Sequence, residues 1–158
     1  MGINKEQLSD LIKRVLTEAG LYSPSARELL LLTAAQESLG GTYLRQLGKG
    51  PALGIFQMEP ATHDDIWSNF LAYREPLGER ILEVAGMGNG PDEKALEYNI
   101  AYAILMARVH YLRVKSRLPD GDDIKRLAEY WKDYFNTPLG AGTVEEAIHN
   151  YKRYCEDV

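Results

Sequence analysis

Apolar side chains recur along most of the chain at the three- and four-residue spacing of an amphipathic α-helix. The first such pattern fills residues 1–20, with Gly20 suited to end it, and predicts a peripheral N-terminal helix. The second begins at Ser23-Pro24, a capping residue followed by a proline in the first helical position, and continues to about Ser38. Because its central turns are apolar on all sides, this second helix is predicted to form the centre of the core.

Glycines and prolines interrupt the helical pattern between residues 40 and 58. Isolated apolar side chains lie among them, which is typical of a short β-hairpin or an extended loop. Helical periodicity then resumes in further stretches, which cover residues 62–73, 77–85, 93–117, 122–135 and 143–154. The pattern therefore predicts a mainly α fold with one irregular or β-containing segment after the second helix.

The length and composition of the chain agree with this picture. Its 158 residues, 45% hydrophobic and 26% charged, suit a single globular domain over residues 1–158. No apolar run is long enough to cross a bilayer, and the charged amino terminus does not resemble a secretory signal. We therefore expect a monomer that does not insert into membranes and stays in the cytoplasm until something releases it.

Charge and metal-ligand spacing limit the partners that the sequence predicts. The formal net charge of −5 disfavours nucleic-acid binding, which depends on clustered cations. The consecutive residues His63, Asp64 and Asp65 would point about 100° apart on a helix, so they are expected to be charges at a helix N-terminus rather than ligands of one metal ion. No metal and no cofactor is expected.

Glu37 is the carboxylate with the strongest chemical signal. It lies at the end of the most apolar helix, where desolvation and the negative end of the helix dipole both raise its pKa. A proton held near neutral pH is what a general acid needs to protonate a glycosidic oxygen. The alternative is a helix-terminal carboxylate that only faces water.

Three short blocks of sequence carry a resemblance to known families. They are Ala35-Gln36-Glu37-Ser38, then Ala52-Leu53-Gly54-Ile55-Phe56-Gln57-Met58-Glu59-Pro60-Ala61-Thr62, then Asn99-Ile100-Ala101-Tyr102-Ala103. In this order the blocks resemble the soluble lytic transglycosylase and goose-type lysozyme families over residues 29–151. The resemblance implies a lysozyme-like helical domain that cleaves the β-1,4 bond between N-acetylmuramic acid and N-acetylglucosamine in peptidoglycan.

The resemblance also implies roles for individual residues. Glu37 would be the catalytic acid, and Gln57 would line the cleft, with Gly54 allowing the loop backbone to approach a ligand. The alternative for Gln57 is a hydrogen bond to its own loop backbone. The other residues implied to contact the substrate are Ser38, Tyr102, Tyr130 and Asn136.

A fourth block, Ala-Tyr-Asn in these families, fits this chain in two registers. Glu129-Tyr130-Trp131 keeps the tyrosine, whereas Tyr134-Phe135-Asn136 keeps the asparagine and better preserves the turn into the last helix. The aromatic residues Trp131, Tyr134 and Phe135 also fit a buried stripe of the predicted helix, and burial is expected for at least two of them. The sequence leaves the register open.

Two reactions are compatible with Glu37 as the acid. A lytic transglycosylase needs no second carboxylate, because the muramyl 6-hydroxyl attacks and an anhydro product forms. An inverting hydrolase needs a second carboxylate about 6.5–9.5 Å away to activate water. Glu59, Asp64 and Asp65 are the candidates for that role.

A non-catalytic protein is the alternative from a different class. A helical binding or virion-assembly module could keep the fold without turnover, and the acidic net charge and the imperfect fourth block favour it. For the enzyme, small size and no recognisable secretory signal suggest a bacteriophage or prophage product, such as an endolysin that acts on the bacterial cell wall.

Overall fold

A computed structural model of the chain describes residues 2–137 and 139–156, which fold into a mainly helical structure. Within these residues the helices are α1 Lys5–Glu18, α2 Pro24–Ser38, α3 Pro60–Asn69, α4 Glu75–Val84, α5 Ala95–Tyr98, α6 Ile100–Leu112, α7 Ile124–Trp131 and α8 Val144–Glu156. A short 3-10 helix, Leu71–Tyr73, follows α3, and a π-helical turn, Lys132–Asn136, extends α7. The mainly α fold predicted from the sequence is confirmed. None of the described helices has the length and apolar character needed to span a bilayer.

Helix α2 forms the centre of the core. Ser23 caps its N-terminus by accepting a hydrogen bond from the backbone N–H of Ala26, and Pro24 occupies the first turn. Every residue from 29 to 35 is buried, so the helix contributes side chains to the core on all sides. Helices α1, α6, α7 and α8 pack around it. The burial predicted from its apolar central turns is confirmed.

Helix α1 buries one face against α2 and α6. The buried side chains on this face are Leu8, Ile12, Val15 and Leu16. Asn4 caps the helix through its side-chain oxygen, which accepts from the N–H of Gln7. The opposite face is largely exposed, which is the amphipathic arrangement that the spacing of its apolar residues predicts.

The segment between α2 and α3, residues 39–59, forms an irregular loop that we call the cleft loop. Its pairing consists of isolated antiparallel bridges between Arg45 and Leu53 and between Leu53 and Met58, and no regular strand is present in the described residues. The loop turns back on itself at Gly48, Gly54 and Gln57, which all have a positive φ and so interrupt an extended ladder. Of the two predicted forms, the extended loop is the one observed.

The helix that periodicity predicts over residues 93–117 is divided in two at Asn99. The backbone of Asn99 is extended, with φ −104° and ψ 96°. Its side-chain oxygen caps α6 by accepting from the N–H of Tyr102, while its amide donates to the carbonyl oxygen of Ala85 at 2.9 Å. This double use of one side chain ends α5 and starts α6 in a new direction.

Candidate active site

A cleft of about 660 Å³ opens beside the C-terminal end of α2. This volume lies within the range typical of sites for small molecules and short polymer segments. The walls come from α2, the cleft loop, α3, α6 and the segment around the π-helical turn. The lining residues are Gln36, Glu37, Tyr43, Gln46, Leu47, Ala52, Gln57, Met58, Glu59, Thr62, His110, Trp131, Phe135, Asn136, Thr137, Gly140, Ala141 and Gly142.

The polar side chains of the cleft are mostly uncharged. Amides and hydroxyls predominate, from Gln36, Gln46, Gln57, Asn136, Tyr43, Thr62 and Thr137. Among the described lining residues no lysine or arginine is present, and the two carboxylates are Glu37 and Glu59. Such a surface suits a ligand rich in hydroxyl and amide groups and disfavours a phosphorylated one, which would require cations.

Glu37 lies in the wall of this cleft, one residue before the end of α2, and is half-buried. Burial raises the pKa of its carboxyl to about 7, against the opposing effect of a hydrogen bond from Trp131. The indole Nε1 of Trp131 donates to Glu37 Oε1 at 2.9 Å. Glu37 therefore holds a proton up to about neutral pH, as the sequence predicts for a general acid.

Ser38 is fully buried, so a substrate cannot reach it, which corrects the predicted contact. Its Oγ donates to the carbonyl oxygen of Ile55 at 2.6 Å and accepts from the N–H of Gly41 at 2.8 Å. The hydroxyl of Tyr43 also donates to the carbonyl oxygen of Glu37 at 2.9 Å. These bonds tie the end of α2 to the cleft loop, so Ser38 positions the backbone beside Glu37.

Gln57 lines the cleft and also bonds its own loop, so both alternatives for this residue hold in part. Its side-chain Nε2 and its backbone N–H both donate to the carbonyl oxygen of Gly54, at 2.8 and 3.0 Å. Gly54 itself is buried and approaches the backbone of Leu96 in α5 rather than a ligand. The predicted reason for a glycine at position 54 was therefore wrong, although the need for one was right.

Tyr102 is fully buried and does not line the cleft, so the predicted contact with substrate is corrected as well. Its hydroxyl accepts from Trp67 Nε1 at 2.8 Å and bonds His63 Nε2 at 2.6 Å. The apolar body of the ring fills the core, and the polar tip joins α3 to α6. Tyr102 therefore holds together two helices that support the cleft.

His63 is only 2% exposed, so the expected solvated charge at a helix N-terminus was wrong. With Asp64 and Glu93 it places potential metal-ligating atoms within 4.8 Å of one another, closer than the helical spacing suggested. Both ring nitrogens are nevertheless engaged. Nε2 bonds the Tyr102 hydroxyl at 2.6 Å, and Nδ1 bonds Asp64 Oδ1 at 2.9 Å.

The first register of the fourth block places one residue at the cleft, and the second register places two. Tyr130 is only 6% exposed and donates to the carbonyl oxygen of Ser116, so the predicted substrate contact at Tyr130 is corrected. Phe135 and Asn136 line the cleft, as the second register requires. Trp131, from the first register, is the aromatic side chain that bonds Glu37. It is buried, as expected for the stripe, but Tyr134 and Phe135 are only half-buried, so the expected burial of at least two of the three was wrong. The contact of Trp131 with the acid was missed.

The π-helical turn explains why neither register fits alone. It follows Trp131 directly and widens the last turn of α7, so that Trp131 and the pair Phe135 and Asn136 reach one cleft. Lys132 fixes the turn by donating to Asn136 Oδ1 at 2.7 Å and to the carbonyl oxygen of Gly140 at 2.8 Å. Single π-helical turns are frequent at functional sites.

Of the three candidate second carboxylates, Glu59 alone lines the cleft, and it is exposed. Asp64 is bonded to His63, outside the cleft lining. Asp65 pairs with Arg113 at 2.7 Å on the exposed side of α3. A water activated beside Glu37 would therefore depend on Glu59.

Comparison with known proteins adds no relative to these observations: no protein-family model, curated protein or solved structure matches the chain significantly. The resemblance in short blocks therefore remains a hypothesis.

Proposed function

We propose that this protein cleaves the glycan strands of peptidoglycan, with Glu37 as the general acid. The bond would be the β-1,4 linkage between N-acetylmuramic acid and N-acetylglucosamine, and the enzyme would be a lytic transglycosylase or a muramidase. The observation that carries the proposal is a carboxyl with a pKa of about 7 in the wall of a cleft of about 660 Å³. A proton donor of this kind is what glycosidic cleavage requires.

The remaining lining supports a glycan as the ligand. Hydroxyl and acetamido groups of amino sugars need both donors and acceptors, and a glutamine or asparagine amide offers both in one side chain. Tyr43 and Phe135 add aromatic surface to the same cleft. The absence of lysine and arginine from the described part of the lining favours an uncharged stretch of sugar over a phosphorylated one.

The reaction would begin with transfer of the proton of Glu37 to the leaving glycosidic oxygen. The resulting carboxylate would then accept a proton from the attacking group. In a transglycosylase that group is the muramyl 6-hydroxyl, and an anhydro end forms. In a hydrolase it is water, and an inverting enzyme would need Glu59 as the second carboxylate.

Digestion of purified peptidoglycan, followed by mass analysis of the released fragments, tests the proposal. Anhydro ends lack one water relative to reducing ends, so the masses also separate the two reactions. The Glu59→Gln variant adds a second criterion, because only an inverting hydrolase should lose most of its turnover. No release and no clearing of a peptidoglycan gel by the folded protein at any pH would favour the non-catalytic binding or virion-assembly module.

The proposed substrate also implies where the protein acts. An enzyme of this kind must reach the cell wall, and the proposal therefore includes a bacteriophage or prophage lysis or virion protein that acts after release from the cytoplasm. Its partner would be the glycan strand, bound by a monomer without nucleic acid, metal or cofactor.

The rate of cleavage is expected to fall as the pH rises through about 7, the pKa of Glu37. The sign follows from the role of the acid: only the protonated form donates, so each pH unit above the pKa removes about nine-tenths of the active form. The net charge of −5 also weakens binding to an anionic wall as pH rises. The pH profile should therefore be measured on a short uncharged oligosaccharide. A rate that stays constant far into the alkaline range would exclude Glu37 as the donor.

Gln57→Ala is expected to lower turnover by roughly tenfold, less than loss of the acid, because a cleft amide that orients the sugar is removed. The variant also loses one side-chain hydrogen bond to Gly54, so the free energy of unfolding should fall by about 1 kcal/mol. Steady-state kinetics and denaturant unfolding measure the two effects. A loss of several kcal/mol with unchanged turnover of the folded fraction would mark Gln57 as purely structural.

A further inference from the structure

The hydrogen bond between Trp131 and Glu37 distinguishes the two oxygens of the carboxyl. An indole Nε1–H donates but cannot accept a hydrogen bond. Glu37 Oε1, at 2.9 Å from this nitrogen, must therefore act as the acceptor whether the carboxyl is protonated or ionised. When Glu37 is protonated, the proton is left to Oε2.

The indole is held so that it cannot easily turn away from this bond. Trp131 is fully buried at the end of α7. A methyl group added at Gly142 would lie 2.7 Å from Cη2 of the ring, so the backbone after the π-helical turn packs directly against the indole. Because the ring has no free space on this side, its N–H direction is set by the fold.

We infer that Trp131 is a positioning residue that keeps the proton of Glu37 on Oε2, the oxygen that would deliver it to the glycosidic bond. This inference rests on the proposed function for its catalytic meaning, although the pairing itself does not. After transfer the same N–H stabilises the negative charge of the carboxylate through a charge-assisted hydrogen bond. The bond thus directs the proton before transfer and supports the charge after it.

Among the described lining residues, no other titratable group is a cation near pH 7 that could pair with the Glu37 carboxylate in place of the indole. His110, from α6, lies in the cleft, and burial together with Arg113 lowers its pKa to about 4, so it is neutral near pH 7. Burial raises the pKa of Tyr43, beside the backbone of Glu37, and of Tyr111 on α6. The remaining charged group in the cleft is the carboxylate of Glu59.

Nuclear magnetic resonance of the indole N–H groups tests the pairing without any assay of activity. The chain has two tryptophans, so a nitrogen-15 labelled sample gives two indole signals, which the Trp67→Phe variant assigns. The Trp131 signal is expected to move with a midpoint near pH 7 in the wild type and to lose this transition in Glu37→Gln. The Trp67 signal, whose donor bonds Tyr102, should respond equally in both proteins.

Kinetics on an uncharged oligosaccharide test the positioning role. In Trp131→Phe the carboxylate loses its donor, so the alkaline limb should move up by roughly one pH unit, and kcat should fall by roughly three- to tenfold with little change in KM. Trp67→Phe is the matched control, because it removes a partly buried indole donor that lies away from the cleft. Its alkaline limb should stay where it is in the wild type.

The outcomes separate this inference from the proposed function. The inference is overturned, while glycan cleavage stands, if the pH transition of the Trp131 indole signal persists in Glu37→Gln. It is overturned as well if the alkaline limb moves equally in Trp131→Phe and Trp67→Phe. A Trp131 signal that follows Glu37 in a protein that cleaves no glycan upholds the pairing and refutes the proposed function. If Trp131→Phe does not fold, the wild-type and Glu37→Gln titrations still decide the pairing.

Discussion

Glu37→Gln is expected to lower the rate of glycan cleavage by about 10²–10⁴-fold while the protein stays folded. The amide keeps the shape of the carboxyl, and its oxygen can still accept the hydrogen bond from Trp131, but it has no acidic proton to transfer. The measurement is the initial rate of fragment release from purified peptidoglycan, with circular dichroism to confirm the fold. A variant that retains activity within a few-fold of the wild type would refute Glu37 as the acid.

The same variant has a second effect that does not depend on any substrate. Glu37 has a pKa of about 7 in the folded protein and 4.5 as its ordinary value, so its ionisation opposes folding. Below the ordinary value both states are protonated and no penalty exists. As pH rises from about 4.5 to about 7 the wild type loses stability relative to Glu37→Gln, and above this range the loss levels off on the order of 3 kcal/mol.

Denaturant unfolding at acidic and alkaline pH measures this difference. Glu59→Gln is the matched control, since it removes an exposed carboxylate from the same cleft without relieving a buried charge. The stability advantage of Glu37→Gln over the wild type should grow with pH, and that of Glu59→Gln should not. An advantage independent of pH would mean that the carboxyl of Glu37 is solvated in the folded protein.

The fold could be predicted where burial follows a regular period along the chain. The apolar turns of α2 predicted its central position because a helix that is apolar on all sides must be surrounded by other elements. The break at Asn99 could not be predicted from periodicity, because apolar residues continue through it at helical spacing. It depends on a single side chain that bonds two backbone groups, one of them the distant carbonyl of Ala85.

The acid of the site, Glu37, could be predicted from the sequence, whereas the roles of the residues that hold it in position could not. Glu37 combines an apolar helix with a helix end, and both features are visible in the sequence. Ser38 and Tyr102 occur in the same short blocks, but a block does not reveal whether a side chain faces the cleft or fastens the elements behind it. Trp131 was missed for a different reason. Its spacing on α7 predicts burial, and the residue is buried, but burial alone does not reveal that the indole N–H reaches a carboxyl on another helix.

Gly54→Ala is expected to lower the free energy of unfolding by about 3–5 kcal/mol. Two costs add at this position. The backbone has φ +80°, which an L side chain tolerates poorly, and a methyl group would lie 1.9 Å from the carbonyl oxygen of Leu96. Because the obstacle is backbone rather than a flexible side chain, the cleft loop and α5 would have to separate. The carbonyl that Gln57 bonds would move with them, so turnover should fall as well.

Gly48→Ala separates the cost of the positive φ from the cost of the steric contact. Gly48 lies in the same loop with nearly the same φ, +78°, but no atom lies within 4 Å of the added methyl group. It should lose only the conformational part, about 1–2 kcal/mol, and keep the wild-type turnover because Gly48 does not line the cleft. Denaturant unfolding of both variants gives the difference between them, which measures the close approach of Gly54 to α5. If the two variants were equally stable, the contact between the cleft loop and Leu96 would not constrain position 54, and the strain of the positive φ alone would account for the glycine.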